Sequence, residues 1–376
     1  MDAAADGLVE RERELAVLDA LLRDAAAGMG RLAVVEGPAG IGKSRLLQEL
    51  RTRAAAGGAR VLYARAGDLE RDFGFGVVRQ LFEASVAAQP GLLQGAAAPA
   101  AAVLDVVGGE DDDGDATFAA LHGLYWLTLN LAASDLLVVA VDDLHWCDRP
   151  SLRYLAYLVR RLEGAPVLVA ATLRAGEAAV DPALVGEIVE DAALSIAPAP
   201  LSTGAVGAVA GRELGSEAAP AFAEACHRST GGNPLLLRQL LRALDAEGVR
   251  PDADAAGVVG EIGPRAIARS VLLRLGRLGK APVAVARTVA LLGESPDARV
   301  VAALTDLPAS EVAEAVATLT AAEILRPEAP LGFVHPLVHD AVYRELPAAQ
   351  RELAHLRAAD GSVTFPIRAH VVSSLV

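Results

Sequence analysis

The stretch Gly37-Pro38-Ala39-Gly40-Ile41-Gly42-Lys43-Ser44 constrains this chain more than any other. It fits G-x-x-x-x-G-K-[ST], a pattern that carries meaning only with a strand before it and a helix after it. Both are readable. Leu32-Ala33-Val34-Val35-Glu36 reads as a short buried strand, and Leu46, Leu47 and Leu50 mark one face of a helix. In that setting the glycines let the backbone turn with its N–H groups inward, and the helix adds its positive end. The pattern therefore predicts a phosphate-binding loop, with Lys43 at the β- and γ-phosphates of a nucleotide and the Ser44 hydroxyl on a Mg²⁺ ion. Chance would produce it in roughly one sequence in a thousand of this composition. Lysine occurs elsewhere only at Lys280, and arginine supplies the rest of the positive charge. A compact ammonium kept at position 43 suits a phosphate chain better than arginine's planar fork.

A chain of 376 residues has room for two or three domains. Hydrophobic residues make up 53% and aromatics only 4%, so its cores must be built from Ala, Leu and Val, which favours helices. A formal net charge of −14 argues against general affinity for nucleic acid or an anionic membrane. Nucleotide binding needs only a local positive site. Cys147 and Cys226 are the only cysteines, which offers no disulfide framework and suits a reducing compartment. Residues 1–7 lack a basic leader, and the longest strongly apolar run, 136–141, is too short to span a bilayer. The expectation is a cytoplasmic protein with no membrane partner.

Residues 8–22 predict a first helix, with Leu15, Leu18, Leu21 and Leu22 on one face and a charged run at 10–14 before them. Strands are expected at 60–66, 136–141, 167–172 and 194–196, and helices near 75–88, 118–132 and 150–162. The run Leu136-Leu137-Val138-Val139-Ala140-Val141 is apolar at every position, as in a central parallel strand buried on both faces. Alternating strands and helices imply an α/β, doubly wound parallel sheet with ligands at the carboxyl ends of its strands. The Ala/Pro-rich, then acidic, stretch 91–115 reads as a mobile surface loop. Beyond Leu201 two or three helices run to about Glu247, and a Gly/Pro/Asp-rich linker follows to Pro264. Helices near 265–278, 281–292 and 311–321, then a β-hairpin at 324–326 and 332–334, outline a winged helix.

Asp142 and Asp143 directly follow the most apolar strand. There one carboxylate can bind Mg²⁺ and the other can orient an attacking water. Thr172 and Arg174 end the next strand and are candidates to sense or stabilise a γ-phosphate, while His145 and Trp146 read as corner packing. No [NT]-K-x-D guanine contact exists, since Lys280 is followed by Ala281-Pro282, which favours ATP. Ser229-Thr230-Gly231-Gly232-Asn233 lies downstream of the second motif and ends differently from the L-S-G-G-Q of ABC transporters.

Five segments taken in order are more specific than any one of them: 37–44, 138–146 (VVAVDDLHW), 168–174 (LVAATLR), 230–236 (TGGNPLL) and 333–343 (FVHPLVHDAVY). Together they resemble the AAA+-like ATPase region of the large ATP-binding LuxR-type regulators, members of the STAND class of signal-transduction ATPases. The resemblance spans roughly residues 8–358. It implies an ATPase core over 1–200, a helical lid over 201–248, a linker at 249–263 and a winged-helix domain at 264–358, with 359–376 an irregular, truncated-looking tail. It also implies bound ATP or ADP with Mg²⁺, slow hydrolysis used as a switch, an inducer ligand or protein as partner, and self-association. Pro234 would then meet the adenine from the lid, Val9 and Arg11 would hold the base, and His335 would reach the phosphates of ADP. The family usually has Gly where this chain has Glu10, and nothing like its C-terminal helix-turn-helix is present. A phosphotransferase, or the ATPase module of a protein such as an adenylyl cyclase, is the alternative.

Overall fold

The computed structural model describes residues 8–67, 73–104, 114–175, 179–293, 296, 298–305, 307–322, 324–326, 331–333 and 336–346. Five strands form one parallel sheet: β1 (Arg31–Gly37), β2 (Arg60–Arg65), β3 (Leu137–Asp142), β4 (Val167–Arg174) and β5 (Leu194–Ile196). Their order is β2-β3-β4-β1-β5, so the strand before the glycine-rich loop lies inside the sheet, between β4 and β5. Helices Lys43–Ala56, Gly76–Ala88, Gly114–Leu131, Arg149–Val159 and Pro182–Glu190 alternate with the strands, as parallel pairing requires. Every residue of β3 is buried, which accounts for its unbroken apolar run.

Alternation along each strand sorts the core into two layers. Val34, Val139, Val141 and Val169 face one layer together with Leu124, Leu127 and Leu155. Ala33, Val35, Val138, Ala140 and Leu168 face the other, against Leu46, Leu47 and Leu50 of the helix after the loop. Each fully buried Val or Leu side chain contributes about 1.5–3 kcal/mol relative to exposure. Small residues in this second layer let that helix sit close on the sheet.

Asp148 fixes two helices at once. Its carboxylate accepts from Ser151 N at 2.9 Å, capping the Arg149–Val159 helix. It also accepts from Phe75 N at 2.8 Å and Val77 N at 3.2 Å, at the start of the Gly76–Ala88 helix. Phe75 is held there at φ 60, a conformation unusual for a bulky side chain.

Several expectations change. The first helix runs Glu12–Ala26 rather than from residue 8, so Glu12 and Glu14 occupy its first turn, where the helix dipole favours them. The expected surface loop at 91–115 contains helical turns over Pro90–Leu93, Gly95–Ala100 and Ala101–Leu104, and Ala97, Ala100 and Val103 are buried. The small residues of 91–104 pack instead of fluctuating: a Cβ at Gly123 would lie 2.6 Å from Ala100 N, while the acidic run at 110–113 lies outside the described residues. The linker expected up to Pro264 ends early, because a helix begins at Ala256. Burial of Val259 outweighs the low helical propensity of Gly257 and Gly260.

The chain divides into two compact units, Met1–Val209 with Gly231–Leu235, and Ala210–Thr230 with Leu236–Val376. In the second, helices Lys280–Leu292, Ala298–Thr305, Ala309–Ala321 and Pro336–Glu345 contribute Val285, Val289, Val301, Leu319 and Val342 to a core of its own. Among the described residues, the hairpin expected there is a single antiparallel bridge, Leu325 with Phe333. No described helix is long and apolar enough to cross a membrane.

Candidate functional site

The carboxyl ends of β1, β3 and β4 meet at the start of the Lys43–Ala56 helix. After Gly37 the loop turns through Gly40 at φ 81 and Gly42 at φ 106, both left-handed values that glycine adopts without strain. Gly42 caps the helix, so Lys43 and Ser44 stand in its first turn. Lys43 is only 5% exposed, and a charge so buried needs partners. Its Nζ donates to Gly37 O at 2.6 Å and Pro38 O at 2.7 Å, which gathers the ammonium against the loop's own backbone.

Asp142, at the end of β3, ties the start of the Lys43–Ala56 helix to β4. Its Oδ1 accepts from Ser44 Oγ at 2.9 Å and from Thr172 Oγ1 at 2.6 Å. Thr172 Oγ1 in turn accepts from Asp143 N at 2.8 Å, holding Asp143 at φ 59. The two carboxylates are each 3% exposed. Burial, and then the charge of Asp142, push the Asp143 carboxyl above its usual range, while Arg174, Arg65 and Lys43 oppose that rise. Arg174 Nε lies 3.6 Å from Asp143 Oδ1, and its guanidinium sits 4.5 Å from the centre of the Trp146 ring. His145 is buried beside it, and burial, with Arg174 and Lys43, pushes its pKa down to about 3.

Three contributors were not read from the sequence. Arg65, at the end of β2 and paired in register with Asp142, places Nη2 3.4 Å from Asp143 Oδ2 and Nε 3.9 Å from Asp142 Oδ2. Gln80 brackets it, accepting from Arg65 N at 3.0 Å and donating to Arg65 O at 3.3 Å. Asn233 donates from Nδ2 to Ala39 O at 3.0 Å. For Arg65 the only sequence signal was a basic residue at a strand end.

The remaining expected residues fall as follows. Val9 is half-buried, and Arg11 is 3% exposed, donating to Ile41 O at 3.3 Å and Ala199 O at 2.7 Å, so it braces the glycine-rich loop. Glu10 adopts φ 54, which explains why a glycine would suit that position. Its carboxylate accepts from Ser202 N at 2.8 Å and from the Ser202 hydroxyl, holding its pKa below the usual range. Pro234 is half-buried and opens the Pro234–Ala246 helix. His335 lies outside the described residues.

The donors suit a nucleotide with Mg²⁺. Ser44 and Asp142 already share a hydrogen bond, and Lys43 reaches the loop's inner carbonyls. Ser44 and Asp142 would hold Mg²⁺ together with phosphate oxygens and water.

The fold recurs in solved structures. A Walker-type ATPase of Pyrococcus abyssi superposes with TM-score 0.57 at 13% identity, covering 89% of this chain and 96% of that one. A STAND protein of Pyrococcus horikoshii with a tetratricopeptide repeat sensor aligns over 96% of this chain and 46% of its own length, at TM-score 0.40 and 18% identity. An uncharacterized protein of Rhizobium meliloti (strain 1021) is 30% identical over 191 residues, which is 44% of this chain. The chain spans only 18% of that relative's length. Residues 7–170 are similar to the family model of the AAA ATPase domain.

Proposed function

We propose that this chain is an ATP-dependent regulatory switch that hydrolyses ATP slowly, the sensor part of a large LuxR-type STAND regulator. The observation that carries the reading is the convergence of Ser44 and Thr172 on Asp142 Oδ1, beside Lys43 and Asp143, at the ends of three parallel strands. On this reading Lys43 and the loop N–H groups bind the phosphates, and Ser44 with Asp142 holds Mg²⁺. The ion, when bound, neutralises charge on the β- and γ-phosphates. Asp143 accepts a proton from the attacking water, and Arg174 faces the γ-phosphate. Supporting the switch rather than a fast enzyme, Asp143 is flanked by two arginines and is shorter than Glu, so its reach to a water is limited. The helices after Lys280 and the Leu325–Phe333 bridge would be a winged-helix domain, and His335 would bring it to bound ADP.

Titration with a fluorescent ATP analogue, with and without Mg²⁺, tests the reading on the parent and on Lys43→Ala. The parent should bind, and the variant should lose binding because the one ammonium aimed at the phosphates is gone. Equal affinity of the two would defeat the assignment.

A further inference from the structure

Two hydrogen bonds from one short segment land on successive carbonyls at the apex of the glycine-rich loop. Asn233 Nδ2 donates to Ala39 O at 3.0 Å, and Leu235 N donates to Gly40 O at 3.2 Å. The approach is so close that a Cβ at Gly40 would lie 2.7 Å from Leu235 Cβ and 2.8 Å from Asn233 Oδ1. Gly40 is not one of the glycines the G-x-x-x-x-G-K pattern demands, so this contact gives it a reason of its own. The segment is itself anchored: Leu201 N donates to Gly232 O at 2.9 Å, and a Cβ at Gly232 would meet Leu201 O at 2.3 Å.

In a planar trans peptide the carbonyl of one residue and the N–H of the next point in opposite directions. Holding Ala39 O and Gly40 O toward Asn233 and Leu235 therefore turns the N–H groups of Gly40 and Ile41 away from that segment. Ile41 N donates a long hydrogen bond to Pro38 O at 3.4 Å, which a phosphate oxygen would replace. These are N–H groups that a phosphate chain would use.

We infer that Asn233 is a positioning residue that holds the loop's apex in its phosphate-accepting form, so nucleotide affinity depends on its side-chain N–H. The inference rests on the nucleotide-binding role proposed above. Asn233 also has an ordinary structural task, since its Oδ1 accepts from Leu235 N at 3.0 Å and caps the helix beginning at Pro234. The two tasks use different atoms. Aspartate caps a helix as well as asparagine does, but it offers no donor to Ala39 O and sets a carboxylate oxygen against that carbonyl.

The test is Asn233→Asp in the full chain, with Asn233→Ser as a second variant that also keeps a capping oxygen but is too short to reach Ala39. Melting temperature, ADP and ATP affinity by calorimetry, and turnover at saturating ATP are measured on all three proteins. Both variants should melt close to the parent and bind both nucleotides about tenfold more weakly, as loss of one such bond allows, with saturated turnover within about twofold. Parent-like affinity in either folded variant would overturn the inference. So would affinity that falls only in step with melting temperature. If the parent itself takes up no nucleotide, the proposed function and this inference fall together, whereas binding parent and binding variants would remove the inference alone.

Discussion

Ser44 Oγ donates to Asp142 Oδ1 at 2.9 Å, although 98 positions separate the two residues in the chain. One comes from the first turn of a helix and the other from the end of a strand one place removed in the sheet. A hydroxyl and a carboxylate held this way are preorganised for a cation with oxygen ligands. Asp142→Asn keeps the size but removes the charge. It should weaken Mg²⁺-dependent ATP binding on the order of ten- to a hundredfold, the scale of a charge-assisted contact. Metal-free binding should change much less. Titrations with Mg²⁺ and with EDTA separate the cases, and an equal loss in both would exclude a metal role.

Asp143→Asn should leave ATP affinity near that of the parent while slowing hydrolysis on the order of a hundredfold or more, since an amide cannot take a proton from water. Single-turnover phosphate release measures it. Hydrolysis at the parent rate would point to another base.

The same carboxyl sets a pH dependence. Arg174 and Arg65 both lower the pKa of Asp143, against burial and Asp142, which raise it. A base works when deprotonated, so hydrolysis should fall as pH drops through that pKa. Arg174→Gln removes the stronger opposing charge, and the acid limb of hydrolysis should then move to higher pH. Arg65→Gln should move it the same way. A limb that stays in place in both variants would show that Asp143 does not control it.

His145 ties stability to pH with a sign that can be worked out. Its folded pKa is pushed from 6.5 down to about 3, so between those values the unfolded chain binds more protons. Stability from this group is therefore fully present above pH 6.5 and is lost as pH falls toward 3, with a slope of up to about 1.4 kcal/mol per pH unit. His145→Gln should flatten the decline in unfolding free energy between pH 6.5 and 5, whatever its effect at neutral pH. Urea melts across that window would show parallel curves if His145 were not responsible.

Asp148→Ala strips the shared cap from two helices. Each lost cap costs about 0.5–2 kcal/mol, so the variant should lose on the order of 1–4 kcal/mol. Asp148→Asn should recover only part of this, because the amide has one acceptor oxygen where three backbone N–H groups converge. Urea unfolding gives both numbers, and a loss under about 0.5 kcal/mol for the alanine variant would refute the double cap.

The parts legible in the sequence were those written in local pattern. β3 declared itself because both its faces are buried, and the loop from Gly37 to Ser44 because its glycines and Lys43 have one joint use. What stayed hidden depends on which segments meet. Arg65 matters only because β2 lies beside β3 in the register that sets it opposite Asp142, and strand order is not written in either strand. Asn233 appears in the sequence only as part of the TGGNPLL segment, while its bond to Ala39 belongs to the folded chain. The stretch 90–104 misled because alanine-rich sequence looks featureless until Gly123 admits it to within contact. Residues 256–260 look like a linker until Val259 is seen to be buried.

The interior place of β1 bears on how the chain is made. Val35 pairs with Thr172 on one side and Ile196 on the other, so its neighbours in the sheet leave the ribosome long after it does. During synthesis the apolar run Leu32-Ala33-Val34-Val35 must wait with both edges unpaired, while β2 and β3 can zip together first. The phosphate loop that follows β1 would then be among the last features to set, and no chain would bind nucleotide before β4 has emerged. Stalled nascent chains ending near residue 160 should accordingly be protease-sensitive at 31–44 and captured by chaperones. Chains extended beyond residue 200 and clear of the exit tunnel should be protected there.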